Sequence, residues 1–372
     1  MIISISIKKK SIIDKVKIMA NKTIIINTPD INRPGGVANF YLGLIGKFKS
    51  NVRYNYIGGK SKKSFFAVNM AMDYTKFIFL IIGKRPGLVH LNPSLDKKSL
   101  IRDAVFIMIC RVFFRKYMLS WHGWQKKTEN NITQKHIKLF RLFFGKAELM
   151  TVLSSDFKNA LISWGIKCPI KIETTLYDDN LIADFVLNKK ELNNNILFLS
   201  RVEEAKGIYV VLKAFNELLK RTDARLTIAG SGSETDKVKD YVLKNNIRGV
   251  AFAGYVKGDD KKELLKNSSI FILPSHSEGM PISMLEAMAF GLAVISRPVG
   301  GIKDFFQDGK MGYITESLEP KEYADLLFKL LSDKDKMGMI SKYNYNYAKE
   351  RFSASKVACR LDLIYKEILM CK

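Results

Sequence analysis

The sequence predicts an α/β protein made of two Rossmann-like, doubly wound domains facing a central cleft. Three observations carry this. The chain has 372 residues, enough for two domains of ordinary size. Both halves alternate short apolar runs with helical patterns, the rhythm of buried parallel strands joined by crossover helices. The alternation stops once, in "IKIETTLYDDNLIADFVLNKKELNNN", where polar residues gather. The domains are therefore placed at 19–175 and 176–350. Residues 351–372 are read as a C-terminal helix returning to the N-terminal domain.

Along the chain, "MIISISIKKK" puts its charges after a short apolar segment, the reverse of a secretory signal. Met19 opens "MANKTIIINTPD", a natural lead into a first strand, so 1–18 is read either as a disordered extension or as an artefact of start-site choice. The N-terminal strands are "TIIIN", "RYNYIG", "LVHLN", "KYMLSW" and "LMTVLSS". "FIFLIIG" is read as a further buried strand and "AVFIMIC" as a helix face. Both are far shorter than the ~20 apolar residues that span a bilayer. In the second half the strands are "ILFLS", "RLTIAG", "VAFAG", "IFILPS" and "LAVISRP", with helices at 208–221, 234–245, 259–266 and 282–290. The tail from Ala348 to Leu369 reads as amphipathic packing helices.

A hydrophobic fraction of 47% supports sizeable cores. The four cysteines (Cys110, Cys168, Cys359, Cys371) form no CxxC pair, which points to a reducing compartment rather than a disulfide or zinc framework. Charge is uneven. Residues 1–175 hold 31 Lys+Arg against 9 Asp+Glu, whereas 176–372 hold 30 against 27. A basic half suggests a polyanionic partner, anionic lipid or nucleic acid. No helix-turn-helix, RNP or zinc pattern supports nucleic acid.

The stretch "SEGMPISMLEA" (277–287) follows the strand "IFILP". It lies at the carboxyl end of a strand, where open α/β sheets bind ligands. Pro281 suits a first helical turn, and Gly279 allows close backbone approach. N–H groups at that helix start favour phosphate or hydroxyl oxygens. Glu278 and Glu286, about two turns apart, can face one crevice and hydrogen-bond sugar or ribose hydroxyls. A capping loop with a surface glutamate would explain the same spacing. The lone Asp-x-Asp, Asp333 and Asp335, lies near a late helix and is read as a loop, so no metal site is expected.

Several segments resemble one family. "PSHSEGMPISMLEAMAFGLAVISRPVGGIKDFFQDGKMGYI" resembles the E-x7-E signature of GT-B retaining glycosyltransferases of family 4. "FLSRVEEAKGIYVVLKAF", "LTIAGSGSE", "AFAGYV", "SWHGW", "NRPGGVANF" and "RFSASKVACRLDLIYKEIL" follow the same family in the same order. The resemblance implies a glycosyltransferase using a nucleotide-activated sugar, UDP- or GDP-linked, without metal or cofactor. It implies that Arg201 and Lys206, with Gly35 and Gly36, hold the donor diphosphate. Glu278, Gly279, Met280, Pro281 and Ile282 would hold the donor sugar, Glu286 the ribose, and Tyr255 and Val256 the base. His122 would lie near the reacting centre, with His90 and His276 as secondary candidates. A solvated salt bridge to Glu203 or Glu204 is the plain alternative for Arg201 and Lys206. The family linker commonly reads Asn-Gly-Val-Asp, and "TTLYDDN" departs from it, which puts the hinge contacts in doubt.

The implied acceptor is a glycan or lipid-linked molecule of bacterial surface polysaccharide synthesis. The implied place is the cytoplasmic face of the plasma membrane, with the basic N-terminal domain on anionic lipid. Candidate contacts are Lys60, Lys62, Lys63, Phe65 and Phe66, and a second group of Arg111, Phe113, Phe114, Arg115 and Lys116. Rival readings are another GT-B nucleotide-sugar enzyme, such as an epimerase, and a non-enzymatic polyanion-binding protein.

Overall fold

The computed structural model describes residues 22–32, 35–58 and 66–371. The expected extension 1–18 and the candidate contacts Lys60, Lys62, Lys63 and Phe65 lie outside them. The described chain forms two compact units. One takes the residues up to Thr174 together with those from Ala354 onward; the other runs from Thr175 to Ser353.

Unit 1 contains β1 (Ile24–Pro29), β2 (Val52–Ile57), β3 (Leu88–Leu91), β4 (Ser94–Leu95), β5 (Lys116–Trp121), β6 (Gly123–Trp124), β7 (Leu149–Val152) and β8 (Ile170–Ile172). Its main sheet has the order β2-β1-β3-β5-β7-β8, every pair parallel. The short β4 and β6 pair separately. Both faces are covered, so Ile25, Ile26, Leu88, Val89 and Met118 are fully buried, the reason these strands read as continuous apolar runs.

Unit 2 contains β9 (Asn195–Leu199), β10 (Arg225–Ala229), β11 (Val250–Gly254), β12 (Ile270–Leu273), β13 (Ala293–Ser296) and β14 (Gly312–Ile314). The order is β11-β10-β9-β12-β13-β14, again all parallel. The chain thus winds outward one way from β9, then returns beside it at β12. That reversal leaves a crevice between the carboxyl ends of β9 and β12.

Two elements differ from the reading above. "VAFAG", read as a buried strand, is the edge strand β11 with three of its five residues exposed, because it has a neighbour on one side only. "FIFLIIG" is not a strand but the second half of a helix, Phe66–Lys84. Phe77 and Ile81 are buried while Phe79 and Ile82 are exposed, a period near four. A short apolar run does not reveal its period when both faces of the element are apolar. Strands β8 and β14 escaped notice because each has three residues. Asp333, of the Asp-x-Asp pair, caps the helix Lys334–Arg351 by accepting from the Lys336 N–H.

The last helix, Ala354–Met370, belongs to unit 1. Asp362 is buried and accepts from the backbone N–H groups of Lys49 (2.8 Å) and Ser50 (3.1 Å). Arg360 pairs with Glu173 at 3.0 Å. Replacing Asp362 with Ala removes a buried acceptor from two part-buried backbone donors, and unfolding is expected to become easier by about 1–2 kcal/mol. A lowered urea midpoint with unchanged slope is the expected readout. A midpoint equal to wild type would show that the helix is held by its apolar face alone.

Candidate functional site

The crevice in unit 2 is built by two loops. The first leaves β9 and runs through Arg201 and Lys206 to Gly207, which starts the helix Ile208–Leu218 in a left-handed conformation (φ 76°). A side chain there would collide with the Pro274 carbonyl, so only glycine lets the two loops approach. The second leaves β12 and runs to the helix Ile282–Ala289. The loops are tied at Ala205, whose carbonyl accepts from the His276 N–H (2.9 Å) and the Ser275 hydroxyl (3.2 Å).

Across this junction Lys206 Nζ lies 2.6 Å from Glu278 Oε1, with the two side chains only 14% and 10% exposed. A largely buried ion pair gives up much of its hydration, and removing one partner leaves an uncompensated charge. Lys206 thus pairs across the sheet, not with Glu203 or Glu204. Arg201 does take the plain alternative: it is 68% exposed and reaches Glu203 at 2.5 Å.

The loop carrying Glu278 is held from behind. Gly301 N–H donates to the Gly279 carbonyl (2.7 Å), and Gly300 (φ 56°) has no room for a side chain against the Glu278 carbonyl. The Thr175 hydroxyl donates to the Met280 carbonyl (3.1 Å). Met280 and Pro281 are buried, while Glu278, Gly279 and Ile282 are partly open. No side chain caps the helix at Pro281, so its leading end can receive oxygens of a ligand.

Glu286 lies in the second turn of that helix, buried, with Lys261 Nζ 2.6 Å from its Oε1. Burial pushes its carboxyl pKa up, and Lys261 opposes the rise. Lys261 stands on the helix Gly258–Lys266; nothing in its amphipathic pattern marked it. Tyr255, just past the end of β11, is 76% exposed, and Val256 beside it is half-buried. Arg297, also missed, follows β13 and donates to the carbonyls of Glu316 (2.9 Å) and Ser275 (3.4 Å).

In unit 1, Gly35 and Gly36 start the helix Gly36–Leu44. A side chain at either would meet nothing within 4 Å, so internal packing does not require glycine at either position. His122 follows β5. Its Nε2 is 3.2 Å from Asn92 Oδ1 and its ring packs on Phe40. Asn92 also accepts from the Tyr41 hydroxyl (2.8 Å) and donates to the Asn27 carbonyl (2.7 Å). His90 is fully buried, between Ser120 Oγ (2.6 Å) and the Tyr365 hydroxyl (2.8 Å), so it joins the last helix to the sheet. Burial lowers the His122 pKa to about 4 and that of His90 to about 3. Both are neutral at pH 7. His276 is exposed and contributes its backbone N–H. Among the described residues no three His, Cys, Asp or Glu gather as a metal site.

Residues 180–347 match the family model described as glycosyl transferases group 1, a segment that contains every loop of the unit 2 crevice. The chain is 30% identical over 175 residues to N-acetyl-alpha-D-glucosaminyl L-malate synthase of Bacillus anthracis, covering 47% of this chain and 45% of that one. It is 26% identical over 314 residues to the amylovoran biosynthesis glycosyltransferase of Erwinia amylovora, covering 81% and 70%. The chain thus spans less than half the length of the first of these relatives. Among solved structures it resembles Anabaena HepE in complex with UDP-glucose, with a TM-score of 0.70 and 16% identity, covering 93% of this chain and all of that one. The chain carries a glycosyl transferases group 1 segment, and its two Rossmann-like units give it the GT-B fold.

The neutral histidines predict a pH dependence. A histidine whose folded pKa lies below its ordinary 6.5 binds fewer protons folded than unfolded. The stability it supports is complete above about pH 6.5 and is lost as pH falls towards about 4. Urea midpoints of wild type should fall over that window, and the fall should be smaller in His122→Asn. Equal slopes in the two would show that His122 does not titrate with folding.

Proposed function

We propose that the chain is a retaining glycosyltransferase that moves a sugar from a UDP- or GDP-sugar to a glycan or lipid-linked acceptor in bacterial surface polysaccharide synthesis. The observation that carries this reading is the Lys206–Glu278 pair at the crevice of unit 2. It sets a cation and a hydroxyl-binding carboxylate side by side, as the diphosphate and the sugar of one donor are side by side. The group 1 family segment, the Erwinia amylovora relative of amylovoran biosynthesis and the UDP-glucose bound by Anabaena HepE support it.

In this reading Lys206 and Arg201 neutralise the diphosphate, where negative charge grows as the sugar departs. Arg201, exposed and paired only at the surface, swings from Glu203 to the phosphate. Gly35 and Gly36 give backbone approach to the same group. Glu278 and the chain from Gly279 to Ile282 hold sugar hydroxyls. Glu286, kept in place by Lys261, receives the ribose, and the backbone at Tyr255 and Val256 meets the base. His122, neutral, offers a hydrogen bond near the reacting carbon. Two cations at the phosphate make a metal unnecessary. The enzyme works at the cytoplasmic face of the plasma membrane, with the basic unit 1 on anionic lipid.

Thermal unfolding with UDP, GDP and ADP identifies the nucleotide: one of them should raise the midpoint. Glu286→Ala should then weaken that nucleotide by about ten- to a hundredfold, matching about 1.5–3 kcal/mol for a lost hydrogen bond to a charged group. Unchanged affinity in that variant would remove the ribose role.

A further inference from the structure

The helix that the sequence disguised as a strand exposes apolar side chains on its outer face. On Phe66–Lys84 the residues Val68, Met72, Phe79 and Ile82 are exposed, Phe79 to 70%, while Phe77 and Ile81 on the opposite side are buried. The neighbouring helix Lys97–Val112 repeats the pattern. Ile101, Val105, Met108 and Val112 are exposed, and Phe106, Ile107 and Cys110 are buried. The spacings are three, four and seven residues, so each set forms one stripe. The helices are in contact: the rings of Tyr74 and Phe77 meet Phe106 at 4.9 and 5.0 Å, and the Tyr74 hydroxyl donates to the Arg102 carbonyl. A third helix, Gln134–Phe144, adjoins the second. Arg111 donates to the carbonyls of Leu142 and Phe143 at its end, both at 2.8 Å. It adds exposed Leu139 and Leu142. Two full stripes and part of a third make an apolar surface of a kind that marks an interaction site.

The exposed charges of residues 66–116 have one sign. Residues 66–116 contain nine Lys and Arg against three acids, Asp73, Asp96 and Asp103. None of the three is exposed. Asp73 accepts from the Gly58 N–H, Asp96 caps a helix, and Asp103 pairs with Arg102. Lys84, Arg85, Lys97 and Lys98 are exposed, as are Lys135, Lys138 and Arg141 on the third helix. Where the second helix ends, Phe114 stands 94% exposed in a left-handed conformation (φ 54°); Lys116, just beyond it, donates instead to the carbonyls of Ile368 and Cys371. A bulky residue seldom adopts that backbone. Phe114 is therefore not a core residue, whereas Arg111 is engaged in holding the third helix. Among the described residues no helix is long and apolar enough to cross a membrane.

The geometry points to this face as the surface by which unit 1 lies on an anionic bilayer. The apolar stripes enter the acyl boundary, Phe114 anchors one end, and the exposed lysines and arginines named above reach the headgroups along their aliphatic stems. The exposed charges of residues 66–116 are all basic and complement negative lipid, each base near the surface contributing within a Debye length. The inference rests on the membrane partner proposed above and names where on the chain it docks.

The test is flotation of the full chain with phosphatidylcholine vesicles, with and without phosphatidylglycerol, over a salt series. Wild type should float with the anionic vesicles at low salt and be released as salt rises. Phe79→Glu combined with Met108→Glu should reduce partitioning by about tenfold or more. Leu243→Glu, an equally exposed apolar position in unit 2, should float as wild type. The thermal midpoint and nucleotide protection of each variant are measured alongside. Wild type that ignores anionic vesicles at low salt overturns the proposal, as does a double variant that floats unchanged. Self-association abolished by the double variant, without vesicle binding, overturns it too and gives the face to a second copy. Vesicle binding without protection by any nucleotide would instead remove the donor reading and leave this surface standing.

Discussion

A cation and an anion that are both largely buried cannot be left alone, and in unit 2 that constraint joins Lys206 to Glu278. Each comes from a different loop, one after β9 and one after β12. The loops meet only because the strand order reverses there. Glycine at 207 and 300 then lets the backbones approach where any side chain would collide. Thr175, Ser275 and the N–H groups of His276 and Gly301 fix the carbonyls that would otherwise be unsatisfied. The result is a charged pair held rigidly at the mouth of a crevice, with a helix end beside it that no side chain caps. A donor that supplies its own anion to Lys206 and its own hydroxyls to Glu278 can separate the pair without leaving either group unpaired.

Unit 1 solves a different problem with neutral groups. At the carboxyl ends of its strands it buries Asn27, His90, Asn92 and Ser120, linked to Tyr41 and Tyr365 by hydrogen bonds. His122 stands at the open edge of this network. Keeping both histidines uncharged lets the network stay compact, and it ties the last helix of the chain to the first sheet. Among the described residues, Lys84, Lys97, Lys98, Lys135, Lys138 and Arg141 stand exposed on the helices around the sheet.

The strands were legible because parallel sheets covered on both faces need unbroken apolar runs, and "ILFLS" and "IFILP" are such runs. The loop after β12 was legible for a related reason: an acid, a glycine and a proline after a buried strand have few other uses. The partner of Glu278 was not, since Lys206 is 72 positions away and only the strand order brings them together. Lys261 was hidden by its ordinary setting, a charged residue on an amphipathic helix, until Glu286 proved to be buried against it. "FIFLIIG" misled because an exposed Phe79 looks, in sequence, like a buried one. The error is informative, since it marks a helix that carries apolar residues on its outer face as well as its inner one.

The claim on which the account turns is that Lys206 serves a diphosphate. Lys206→Met in a Glu278→Gln background removes both charges together, so no unpaired ion is left to unfold the loops. Calorimetric titration of that double variant with the protecting nucleoside diphosphate, and separately with its bare nucleoside, separates phosphate recognition from base and ribose recognition. The account predicts wild-type affinity for the nucleoside and a loss of about tenfold or more for the diphosphate, the scale of a charge-assisted contact of about 1.5–3 kcal/mol. Wild-type affinity for both ligands would contradict it and leave the Lys206–Glu278 pair as structure alone.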